Sequence, residues 1–269
     1  MSWWGKVIGS TLGFVLVGPL GALLGGALGH SFDKGLKGLD TASFGVGGAN
    51  QERIQAAFFT ATFSVMGRVA KSDGIVSAIE IKVARQTMDK MQLNEEQKLA
   101  AINLFNQGKE ADFNLQSVLE QFRHECGRRT DLLRIFMEIQ LSTALADNEL
   151  HPEEQKLLLS VAELLGFKRR HFEELLAMMT AQQRYSKFGD SHSNEKTTEQ
   201  VIEQAYKVLG MTSSCTDAEL KKAYRRLISQ HHPDKLVSKG LPEEMMKIAT
   251  EKTREIKDAY EQIKHYRTK

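Results

Sequence analysis

No acidic or basic side chain occurs between Val7 and Gly29, and this run constrains the chain more than any other feature. At about 1.5 Å per residue, a helix of that length crosses the roughly 30 Å hydrocarbon core of a bilayer. Trp3 and Trp4 precede it, where indole rings suit the membrane interface, and Lys6 can snorkel to the same level. Pro19 is tolerated within a span. The run therefore predicts a single membrane-spanning anchor over residues 1–30. A cleaved leader and a soluble glycine-rich arm compete with it, the leader weakened by a poor basic flank. Glycines recur at Gly5, Gly9 and Gly13, and again at Gly21, Gly25 and Gly29. This spacing puts two small-residue stripes on a helix and predicts self-association through it, against the plainer alternative of glycine-rich composition.

Residues 31–49 read as a glycine-rich neck, and composition changes beyond it to sequence dense in Leu, Ala, Glu and Lys. With 269 residues the chain has room for about two folded domains. The 36 basic and 34 acidic side chains nearly cancel, so bulk charge makes no case for a nucleic-acid partner. Cys126 and Cys215 form no CxxC or Cys/His cluster, which argues against a disulfide scaffold and for a reducing compartment.

Between residues 50 and 182, apolar positions repeat at three- and four-residue spacing with little strand-like alternation, which predicts an all-helical domain. Asn94 followed by Gln97 reads as a capping box, and Pro152 as the first turn of a helix. A weak internal repeat lays Asp73 on Asp147 and Glu80 on Glu154, each copy leaving one helix and entering the next. Carboxylates brought together in this way suit a hard divalent cation. On these residues the region resembles the tellurite-resistance TerB-like helical family, whose acidic helix-turn-helix repeats are thought to bind metal. That resemblance makes Asp73, Glu80, Asp147, Glu153 and Glu154 the candidate metal ligands. The competing reading is of helix caps and solvated turn carboxylates, and there is no complete calcium loop. No cofactor is expected to be required. His124 and Cys126 do not make a nucleophilic pair, and Cys126 reads as a small buried helix residue. Met178, Met179 and Phe172 read as a core stripe rather than a peptide groove. From 183 to 199 the pattern gives way to polar residues, a flexible linker expected to let the C-terminal module swing free.

The remainder, 200–269, opens with a short helix ending at Gly210 after Tyr206-Lys207-Val208-Leu209. Thr216 and Glu219 form the capping box of the next helix. There Leu220, Ala223, Tyr224 and Leu227 line one face, and Lys221, Lys222, Arg225 and Arg226 cover the other. His231-His232-Pro233-Asp234-Lys235 comes next, then a last helix carrying Ile256, Ala259, Tyr260 and Ile263 inward. Two long helices clasping across a polar loop are expected. This ordered set resembles a J domain. The resemblance implies that His232, Pro233 and Asp234 engage a DnaK-type chaperone ATPase, and that the four basic residues orient the encounter against an acidic surface.

The whole order, an anchor, a TerB-like centre and a J-domain helical hairpin, resembles the DnaJ-like membrane co-chaperones of Gram-negative bacteria. The expectation is an all-α chain, an activator of a partner ATPase rather than an enzyme. It would sit in the bacterial inner membrane, single-pass, with its bulk in the cytoplasm, serving an unknown envelope client in the stress response. The alternative is a metal-responsive membrane scaffold regulated through its J domain.

Overall fold

The computed structural model describes residues 18–28, 46–72, 78–91, 93–145, 150–190 and 198–268, and these residues are helical with no strand. The central region contains α2 (Val46–Ala70), α3 (Ala78–Lys90), α4 (Glu95–Lys109), α5 (Leu115–Cys126), α6 (Thr130–Ala144), α7 (Pro152–Leu164) and α8 (Arg169–Asp190). Before them lies a short helix, α1 (Pro19–Leu28). Every residue of α2 from Ile54 to Gly67 is buried, because apart from Gln55 this stretch is apolar or small around its whole circumference and the other helices pack around it. Phe58, Phe122 and Phe136 meet edge-on or tilted at its centre, with ring centroids 4.8 to 6.3 Å apart.

Helices α2 and α4 cross with no room for a side chain between them. A Cβ on Gly67 would fall on the carbonyl oxygen of Phe105, and one on Gly108 on the carbonyl oxygen of Ser64. The two glycines are thus reciprocal halves of one crossing. The sequence-predicted capping box is formed: Gln97 N donates to Asn94 Oδ1 at 2.8 Å, and Asn94 N to Gln97 Oε1 at 2.9 Å.

Among the described residues no helix is long and apolar enough to cross a membrane. Of the segment expected as the anchor, 1–17 and 29–30 lie outside the described residues. The described part is α1, which buries Leu20, Leu24 and Ala27 against α4 and α5. Leu20 N donates to Gln121 Oε1 at 2.9 Å, and Asn103 Nδ2 donates to the Ala27 carbonyl at 2.7 Å.

The C-terminal residues form α9 (Thr198–Val208), α10 (Asp217–His231), α11 (Pro233–Lys239), a 3-10 turn (Glu243–Met245) and α12 (Met246–Arg267). Helices α10 and α12 clasp as expected, with Tyr224 and Tyr260 stacked 4.2 Å apart. Arg267 ties the far end together by donating to Tyr206 Oη at 2.6 Å and to the Cys215 carbonyl at 2.7 Å.

Two features differ from what a linker at 183–199 leads one to expect. Helix α8 continues to Asp190, into the stretch read as a linker, because it packs along α9. The J-domain hairpin does not stand away from the central domain either: α6 packs against both α10 and α11.

Candidate functional site

His232, Pro233 and Asp234 sit where α10 gives way to α11. His232 closes α10 with extended backbone (φ −62°, ψ 121°), and Pro233 opens α11 at the position where a missing N–H costs nothing. Asp234 is exposed, and His232 and Pro233 are half-buried. The hydroxyl of Thr253 on α12 donates to the His231 carbonyl at 3.0 Å, which pins the loop to the hairpin. Lys221, Lys222, Arg225 and Arg226 are all exposed along α10 and lead into this loop. A positive stripe therefore runs up to the motif, on the side away from the buried Leu220, Ala223 and Leu227.

The residue before the motif is the one the sequence reading passed over. His231 is fully buried. Its Nδ1 lies 2.8 Å from the Leu227 carbonyl, and its Nε2 lies 3.0 and 2.9 Å from the two carboxylate oxygens of Glu138 on α6. Both ring nitrogens thus lie within hydrogen-bond distance of oxygens, the Leu227 carbonyl on one side and the Glu138 carboxylate on the other. Burial alone would raise the Glu138 carboxyl, but the charges of His231, Lys252 and Arg134 outweigh it and hold it well below the usual carboxylate range. Arg134 Nε donates to Glu138 at 3.1 Å, and Lys252 Nζ stands 4.0 Å away. Burial pushes Lys252 below the usual lysine range, against the pull of Glu138 and Glu255. A signal was present for this cluster: a carboxylate inside Ile135-Phe136-Met137-Glu138-Ile139 has no solvent to face and needs a cation.

The metal candidates are not brought together among the described residues. Asp73 and Asp147 lie outside them, as does the side chain of Glu80. Glu153 is exposed, while Glu154 is buried and accepts from His151 N at 3.0 Å as a helix cap. No group of three or more His, Cys, Asp or Glu side chains among the described residues is placed to hold a metal. Cys126 is buried, and burial pushes its thiol up to about 12, so it carries no thiolate at neutral pH. Of the anchor glycines, Gly5, Gly9, Gly13 and Gly29 are outside the described residues. Gly25 is exposed, and a Cβ there would meet open space.

Comparison with known proteins agrees with this layout. Residues 59–177 match the family model of the tellurite resistance protein TerB, and residues 204–269 that of the DnaJ domain. Residues 1–39 match the transmembrane domain of co-chaperone DjlA. The chain is 44% identical to co-chaperone protein DjlA of Coxiella burnetii, over 100% of this chain and 99% of that protein.

The chain belongs to the DjlA co-chaperone family.

It is also 44% identical to DjlA of Photobacterium profundum, over 97% of this chain and 98% of that protein. Against DjlA of Escherichia coli it is 41% identical over 98% of each. No solved structure matches it. The chain is thus a DjlA-family co-chaperone with a J domain, and its amino-terminal residues match the family's transmembrane domain. The order of anchor, TerB-like centre and J domain is the order the sequence resemblance implied.

Proposed function

We propose that this DjlA-family chain recruits a DnaK-type chaperone to a membrane and stimulates its ATP hydrolysis. The observation that carries the reading is the exposed stripe of Lys221, Lys222, Arg225 and Arg226 on α10, running directly into His232, Pro233 and Asp234. Charges on an otherwise uncommitted face draw an acidic partner by long-range attraction and fix its orientation, and the loop then makes the contact that matters for the partner's ATPase. The anchor is single-pass in the bacterial inner membrane, and the bulk of the chain lies in the cytoplasm, where the chaperone and its ATP are. Position then supplies specificity by raising the local concentration of chaperone near envelope clients.

Single-turnover ATP hydrolysis by the cognate DnaK-type chaperone tests this, with the full chain added in detergent micelles. Acceleration is expected from the native chain, and His232→Gln is expected to return the rate to that of the chaperone alone. Reversing Lys222 and Arg226 to Glu is expected to weaken association most at low ionic strength, since screening removes much of the steering in the native chain at high salt. Equal acceleration by the native and His232→Gln chains would refute the reading.

A further inference from the structure

We propose that the face of α6 bearing Asp131, Arg134 and Glu138 is a docking surface for the chain's own J domain, a clamp that holds the chaperone-activating loop in a less active state until it is released. This rests on the co-chaperone reading above.

The clamp brackets the motif on both sides. Immediately before His232, the ring of His231 is fixed on Glu138. Just after Asp234, Lys239 on α11 forms an ion pair with Asp131. Gln51 Nε2 of α2 donates to the Val237 carbonyl at 3.1 Å, and Gln55 Nε2 to the Leu241 carbonyl at 3.5 Å. Gly240, at φ +110°, lies so close to α2 that a Cβ would meet Ile54 Cγ2 at 2.6 Å. Beyond the loop, Gln97 of α4 donates to Glu244 at 2.6 Å, and Lys252 of α12 donates to Gln182 of α8. A large partner approaching the motif is obstructed where the central domain already packs, and α2 and α6 both pack beside this loop.

The seam also has the character of one that opens. Although the apolar core continues from one domain into the other, the contacts that bracket the motif are charges and amides, and they border a cleft of about 330 Å³ lined in part by Gln86, Glu138, Gln182, Lys252 and Glu255. Within this arrangement His232 Nδ1 is buried without a hydrogen-bond partner.

The test uses the full chain in detergent micelles. A zero-length carbodiimide should couple the Lys239 amine to the Asp131 carboxylate, read as a linked peptide pair by mass spectrometry. Asp131→Lys should raise stimulation of single-turnover hydrolysis roughly two- to fivefold at sub-saturating co-chaperone, the shift expected from losing one partly exposed ion pair. Adding Lys239→Asp to it restores opposite charges and should bring stimulation back to the native level. If Asp131→Lys fails to fold, Gln51→Ala should give a smaller rise of the same sign. Absence of the cross-link in the native chain, or unchanged or lowered stimulation by the variants that open the seam, overturns the clamp. A cross-link that forms while no chain stimulates hydrolysis overturns instead the co-chaperone reading on which the clamp rests.

Discussion

Removing the charge of Glu138 while keeping its shape, as Glu138→Gln does, leaves His231, Lys252 and Arg134 facing a neutral amide in a buried site. Breaking one partner of such a cluster costs about 3–5 kcal/mol, and urea unfolding at neutral pH should show a loss of that order. The pH dependence has a definite sign. The Glu138 carboxyl is held below its usual value in the folded chain, so its contribution is fully present above about 4.5 and is lost as pH falls through the folded value. The stability gap between the native chain and Glu138→Gln should therefore be constant near neutrality and narrow below about pH 4.5. A gap that widens on acidification would contradict the assignment. The residues of the motif itself were legible, because His232, Pro233 and Asp234 work by their place in a loop. His231 was not, because its role depends on a carboxylate 93 positions away and no local pattern announces such a partner.

At the level of elements, three- and four-residue spacing marks helices well wherever one face is apolar, and the expected start signals hold, α4 following the Asn94 capping box and α7 opening at Pro152. It fails where packing decides. The polar tail of α8, read as a linker, stays helical to Asp190 through its contact with α9, and Tyr185 on it packs against the core. Helix α2 starts at Val46, within glycine-rich sequence that reads as a neck. The crossing of α2 and α4 was also invisible in the sequence, since one glycine within a helix pattern reads as a mild penalty rather than a requirement. Here Gly67→Ala should destabilise by about 2–3 kcal/mol, because the added methyl meets backbone and no side chain can turn away from it. Gly25→Ala, which meets open space, serves as the control and should leave the melting temperature nearly unchanged or raise it slightly.

For the whole molecule, a sequence shows the order of domains more readily than how they sit. An anchor, a TerB-like region and a J domain could be read in succession, but the contact between the last two could not, because each contributes only half of a buried cluster. The shared cluster predicts shared cooperativity. Calorimetry of the native chain should show the central region and the J domain unfolding in one transition, and Glu138→Ala should separate it into two. Two transitions already present in the native chain would mean that the seam is too weak to couple them.

The loop after the motif rests on Gln51, Ile54 and Gln55, which belong to the opening turns of α2. Those turns are also the first part of the central domain that the chain reaches on leaving its membrane-family segment. Residues 186 positions apart in sequence are therefore mechanical neighbours. A substitution in the first turns of α2 therefore reaches the loop beside the motif as directly as one within the J domain itself.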